Sequence, residues 1–173
     1  IEIKLYDLSV SKVLGTYKAV DTNTENNNGV LSLKDTSSQN VIAKNRSNKF
    51  GMINITSNNV TSVYEFSYNA MEYFTTKDTL VQNADNTWKL LYSKNTGSSN
   101  YPGKIMTYND KYFVIKIDGQ DYIYDNSGSK ISAGYNYISL INTSYYAAVN
   151  SNNTLDIYNY LNNKINSTPY ILN

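Results

Sequence analysis

The chain has 173 residues, with 15 Lys and Arg against 14 Asp and Glu, no His, no Cys, 18 Tyr and 27 Asn. Without imidazole or thiol it lacks the parts of a Ser-His-Asp triad, a Cys-His dyad, a Cys/His zinc site or a haem attachment. A net charge of +1 with 17% charged residues supplies no basic stripe for nucleic acid or an anionic membrane, and no apolar run approaches the roughly 20 residues of a spanning helix.

A chain of this length is one ordinary domain or an array of small repeats, and it buries roughly 70% of its unfolded surface when compact. The reading adopted is a single β-repeat domain over 1–173. The first residue is Ile1 rather than Met, which suggests a piece of a longer chain whose leader or anchor lies upstream. Absent Cys, with heavy use of Asn, Lys, Ile and Tyr, points to an extracellular or cell-surface protein of a low-GC bacterium.

In chain order, period-two alternation of apolar and polar residues predicts strands at IEIKLYD (1–7), VLSLKD (30–35), KFGMINI (49–55), WKLLYS (88–93), YFVIKID (112–118), QDYIYD (120–125) and TLDIYN (154–159). Clusters of Asn, Ser, Asp and Gly separate them. The best hairpin turns are NTENNNG (23–29), NADN (83–86), IDGQ (117–120) and NSNN (150–153). YEFSYNAMEYF (64–74) is the one stretch that also reads as a short helix.

One turn grammar recurs. Tyr6-Asp7 is followed by four residues and then Lys12-Val13; the same spacing relates Lys34-Asp35 to Asn40-Val41 and Ile53-Asn54 to Asn59-Val60. It returns between Tyr124-Asp125 and Lys130-Ile131 and between Tyr158-Asn159 and Lys164-Ile165, with an interrupted copy from Tyr92-Ser93 to Lys104-Ile105. The anchors Asp7, Asp35, Asn54, Ser93, Asp125 and Asn159 are 28, 19, 39, 32 and 34 residues apart. This predicts an all-β array of about five or six β-hairpin or three-stranded units. A small-bladed or partial β-propeller is the alternative, although its blades usually take ~40 residues or more.

Two stretches, 49–66 and 119–138, resemble WG β-repeats. That pattern runs from a polar residue through an aromatic, Gly, two apolar residues, Asp and a Gly-containing turn to Val-Ile and a Tyr-rich segment. Phe50-Gly51, Met52-Ile53 and Asn54 follow it in order, and the later unit keeps Tyr124-Asp125 and Gly128. Tyr122 lacks the following Gly, Trp88 is followed by Lys89, and a Trp-Gly pair occurs nowhere. The resemblance implies a mostly bacterial interaction or scaffold module without a fixed activity.

Carboxylates are the remaining catalytic parts. Glu65 and Glu72 would serve glycoside hydrolysis if held about 5 to 9 Å apart in a cleft. Asp118, Asp121 and DNSGS (125–129) are rich in oxygen, but the calcium-loop spacing and its terminal Glu are absent. Turn chemistry explains these residues without a metal, and no cofactor is expected. The candidate binding residues are the clustered tyrosines Tyr64, Tyr68 and Tyr73, Tyr135 and Tyr137, and Tyr145 and Tyr146. A flat ring with a polar tip suits a sugar or a protein partner, and it equally suits a half-buried strand. Trp88, at the repeat position of Phe50, Tyr122 and Leu155, reads as core. The leading expectation is a non-catalytic interaction module with a protein or glycan partner. The second is carbohydrate binding through tyrosine platforms, and the third is a carboxylate-based glycosidase.

Overall fold

The computed structural model describes residues 2–7, 12–18, 30–37, 40–45, 47–55, 60–75, 78–91 and 98–171. Every element among them is a β-strand, and no helix occurs among them. The chain falls into two compact units, Ile1–Asp85 and Asn86–Asn173.

In the first unit β1 (Glu2–Asp7) and β2 (Lys12–Lys18) form an antiparallel hairpin. β3 (Val30–Ser37), β4 (Asn40–Asn45), β5 (Phe50–Ile55) and β6 (Val60–Tyr68) form a four-stranded sheet in sequence order. β7 (Ala70–Tyr73) pairs with β8 (Thr79–Gln82). The stretch 64–74, readable as a helix, is therefore strand on both sides of Asn69. Gly51 is required by close packing: a Cβ there would lie 2.8 Å from the Tyr64 carbonyl oxygen on the neighbouring strand.

The second unit opens on β9 (Trp88–Leu91). β10 (Lys104–Tyr108), β11 (Tyr112–Ile117) and β12 (Gln120–Asp125) form one antiparallel sheet. β13 (Tyr137–Leu140), β14 (Tyr145–Val149), β15 (Thr154–Asn159) and β16 (Tyr170–Ile171) form the last.

Side chains build the turns. Asp125 accepts the N–H groups of Ser127 and Ser129 on Oδ1, both at 2.9 Å, and Gly128 takes φ +87°. Asn159 does the same for Leu161 and Asn163 at 3.0 and 2.9 Å, with Asn162 at φ +62°. Asn150 repeats it with Asn153 at φ +58°. These are type I turns closed by a left-handed residue, the commonest three-residue hairpin loop. The 117–120 turn is different: Asp118 and Gly119 both have positive φ, as a two-residue hairpin requires.

The recurrent grammar holds structurally for the anchors Asp125 and Asn159 and fails earlier. Asp35 pairs with Ile42, because its hairpin turns two residues later, between Ser37 and Asn40. Asp7 pairs directly with Lys12 and Asn54 with Thr61, registers unlike that of Asp125. The 23–29 turn and the Tyr92-Ser93 pair lie outside the described residues.

A stricter repeat replaces it. Trp88 bridges Tyr101, Asp121 bridges Tyr135, and Leu155 pairs with Tyr170. Two residues along, the amide of Leu90 donates to Ser98 Oγ (2.9 Å), that of Ile123 to Ser132 Oγ (2.8 Å) and that of Ile157 to Asn166 Oδ1 (2.7 Å). Ser98, Ser132 and Asn166 are 34 residues apart. A side-chain latch thus satisfies a strand amide where the chain leaves the regular ladder. Asp121, not Tyr122, holds the position of Trp88. The β-turn caps repeat as well: Thr75, Asn109 and Asn142 each accept the amide three residues on, at 3.1, 2.9 and 2.9 Å.

Within the second unit, the two sheets pack through apolar faces. Val114 and Ile123, from the β10–β12 sheet, form one buried cluster with Ile138, Tyr146 and Ala148 of the last sheet. Burying a Val or Ile side chain of this cluster contributes roughly 1.5–3 kcal/mol.

Candidate functional site

Three of the seven candidate tyrosines lie in the first unit and four in the second. Tyr64 and Tyr68 are half-buried on β6, opposite Met52 and Phe50, and burial raises the pKa of both phenols. Tyr73, on β7, donates its hydroxyl to the Asn40 carbonyl at 2.9 Å. These three serve packing within the first unit.

In the second unit Tyr146 is fully buried. Its ring stacks on Tyr158 at 5.4 Å and tilts against Tyr160 at the same distance, and its hydroxyl donates to Asn162 Oδ1 at 2.8 Å. Burial, then the neighbouring Tyr135, pushes its phenol well above the ordinary 10.0. Its ring therefore belongs to the buried cluster and not to the exposed surface that Tyr145 presents. Tyr135 is half-buried, 5.7 Å from Tyr158, whose own pKa is pushed up to about 12, chiefly by burial. Only Tyr137 (57% exposed) and Tyr145 (41%) present large surfaces to solvent.

These two belong to an apolar surface that sequence reasoning missed. Leu161, Ile165, Ile141 and Tyr170 are also exposed, and all lie on the last sheet or the segments leading from its strands. Residues opposite each other in an antiparallel pair share a face. Tyr137 opposes Val149, Val149 opposes Leu155, and Leu155 opposes Tyr170. One apolar row therefore crosses all four strands. The available signal was Leu161, an apolar residue inside the Asn-rich turn NYLNNK (159–164).

The described carboxylates with resolved partners have structural work. Asp125 is held below the ordinary carboxylate value of 3.8 by the Ser127 hydroxyl and the Ser129 and Ser127 amides, all closing the turn on Oδ1. Asp156 is held down chiefly by Lys164, 2.7 Å away, with help from Asn166. Asp121 pairs with Lys116 at 2.7 Å and accepts the Ile138 amide at 3.1 Å. Glu65 lies exposed on β6 and Glu72 half-buried on β7.

An open recess of about 590 Å³ adjoins the first latch, lined by Tyr108, Phe113, Asp110, Asn126 and Ser99 among others. Tyr108 stacks on Phe113 at 5.5 Å. Asn126 donates to the Asp110 carbonyl at 2.9 Å, and the Ser99 hydroxyl to the Asn126 carbonyl at 2.7 Å. Asp110 is the one carboxylate in this lining. Trp88 is half-buried, with the Lys104 ammonium 5.7 Å from its ring centroid.

No family model and no curated protein matches the chain. Among solved structures it is similar to the computationally designed Ika8 protein, at 12% identity and a TM-score of 0.41, covering 95% of this chain and 55% of that one. KlHsv2 with loop 6CD replaced by a Gly-Ser linker matches at 10% identity and a TM-score of 0.42, covering 76% and 50%. The WD40 β-propeller domain of Doa1 matches at 6% and 0.38, covering 78% and 52%. The chain spans about half the length of these structures, and likenesses this distant carry no argument about function. Among the described residues no helix is long and apolar enough to cross a membrane.

Proposed function

We propose that the chain is a non-catalytic interaction module whose contact surface is the outer face of its last sheet. The supporting observation is the exposure of Tyr137 (57%), Tyr145 (41%) and Tyr170 (56%) on that sheet. Exposed large apolar side chains gathered on one sheet mark interaction sites, because leaving them in water is unfavourable. The absence of His and Cys and the structural roles of Asp121, Asp125 and Asp156 agree with this reading. An extracellular or bacterial cell-surface setting and kinship with WG β-repeats belong to the same proposal and rest on the composition and on 50–54 and 124–128.

The test is a photo-crosslinking amino acid placed at Tyr137 in the protein in its native cell. A discrete protein adduct is expected, with none from the same probe at Val63, an exposed residue of β6. Equal labelling at both positions, or turnover of a glycoside by the purified chain, contradicts the proposal.

The recess beside Tyr108 favours a second reading, carbohydrate binding, since an aromatic ring ringed by amide and hydroxyl groups suits a sugar. NMR titration with an oligosaccharide panel checks it through the resonances of Tyr108 and Asn126; unmoved resonances refute it. Glycoside hydrolysis commonly uses two carboxylates, where this recess has one.

A further inference from the structure

The repeat shows what the recess beside Tyr108 lacks. The turn anchors Asp125 and Asn159 each accept the amides two and four residues on, so Asn126 stands where Tyr160 stands in the last sheet. The turn caps Asn109 and Asn142 each accept the amides two and three residues on, which makes Phe113 the counterpart of Tyr146. Strand pairing agrees, since Tyr112 opposes Asp125 as Tyr145 opposes Asn159.

In the last sheet a ring fills this position. Tyr160 lies 5.4 Å from the Tyr146 ring, stacks on Tyr112 at 3.6 Å and donates its hydroxyl to the Asn142 carbonyl at 2.8 Å. One aromatic side chain thus joins a buried ring of its own sheet to the turn cap. In the β10–β12 sheet the same three places are Phe113, Asn109 and Asn126, and all three line the recess of about 590 Å³. Asn126 reaches the Asp110 carbonyl with its amide and brings no ring. Tyr108, stacked on Phe113, adds an aromatic wall. The volume lies within the roughly 300–1,000 Å³ of small-ligand sites.

We propose that the recess takes from another polypeptide the ring that Tyr160 supplies from within the chain: a tyrosine side chain, its ring against Tyr108 and Phe113 and its hydroxyl donated to the Asn109 carbonyl. A flat ring with one polar tip meets an aromatic wall and a single acceptor together. A sugar needs several partners for its hydroxyls, and the side chains here are engaged: Asn126 Nδ2 with the Asp110 carbonyl, the Ser99 hydroxyl with the Asn126 carbonyl, and Asn109 Oδ1 with two amides. None of the lining residues belongs to the last sheet, so the site is independent of the contact face assigned above.

The test is an NMR titration of the full chain with a capped pentapeptide carrying a central tyrosine, with its phenylalanine counterpart and with methyl glucoside, for the wild type, Asn126→Tyr and Tyr108→Ala. Asn126 is exposed, so its replacement is compatible with folding, and circular dichroism verifies the fold of both variants. The tyrosine peptide should shift the resonances of Asn109 and Phe113 with a dissociation constant on the order of millimolar, the affinity open to one side chain. The phenylalanine peptide should bind about threefold or more weakly for want of one hydrogen bond. Asn126→Tyr, which returns the chain's own ring to the recess, should abolish binding, and Tyr108→Ala should weaken it at least about threefold. Unmoved resonances with the tyrosine peptide, equal binding of the two peptides, or full binding by folded Asn126→Tyr or Tyr108→Ala overturns the proposal. Shifts from the glucoside alone overturn it in favour of the carbohydrate reading of the same recess.

Discussion

The β10–β12 sheet and the last sheet follow one plan and end in different surroundings. Both turn on an Asp or Asn that accepts two amides, both latch an Ile amide to a side-chain oxygen nine residues on, and both set a Tyr opposite the start of the third strand. They differ on one face, where Lys116 and Asp121 give way to Val149 and Leu155. Local turn chemistry therefore sets the form of a unit, and the facing row sets what it packs against.

The largest expected difference between the two is the cost of deleting equivalent apolar groups. Ile123→Ala, in the covered core, should lower unfolding free energy by about 2–5 kcal/mol. Ile165→Ala should cost less than about 1 kcal/mol, since little area is lost from the interior. Urea unfolding measures both, and equal costs would break the contrast.

Next comes the latch. Ser132→Ala leaves the buried Ile123 amide without its acceptor and should cost about 1–3 kcal/mol. Asn166→Ala should cost about 1 kcal/mol, because the Ile157 site is nearer solvent. Thermal melts of the two variants rank them.

A smaller effect follows from charge. Asp156→Asn breaks the pair with Lys164, itself 38% exposed, and should cost about 1 kcal/mol. The folded pKa values of Asp156 and Asp125 lie below the ordinary 3.8. Their stabilisation is thus present above that value and lost as pH falls through the lowered ones. Melting temperature should drop on acidification from about pH 5 to about pH 3, and less steeply in Asp156→Asn.

Smallest is the turn residue. Gly128→Ala forces a side chain into the left-handed region and should cost about 1 kcal/mol. Asn153→Gly, at the same place in its turn, should stay within about 0.5 kcal/mol. Denaturation midpoints resolve the pair.

Much of this was legible in the sequence. The seven alternating stretches each contribute a strand among the described residues, because β-branched and aromatic residues alternating with polar ones suit a pleated surface. Strands such as β4, β8 and β14 went unseen because their apolar residues run on without alternation. Val41, Ile42 and Ala43 are all buried, as are Leu80 and Val81 and Tyr146 to Val149, so both faces are apolar and alternation disappears. The repeat was visible where Asp125 and Asn159 close equal turns and misleading at Asp35, where the same letters fall two residues before the bend. The latch could not be read, since a Ser or Asn that serves a distant amide looks like any other. Tyr clustering identified Tyr137 and Tyr145 together with the buried Tyr146, because composition does not say which way a strand residue points.

The repeat plan is the central claim, since the recess lacks a ring only if the units are equivalent. Site-resolved amide hydrogen exchange at Leu90, Ile123 and Ile157 tests it directly. All three amides should exchange far more slowly than those of the turn at 126–128, and Ser98→Ala, Ser132→Ala and Asn166→Ala should each release the amide it serves while leaving the other two protected. Exchange at any of the three as fast as in an unstructured peptide, or all three released by one substitution without global unfolding, would contradict it.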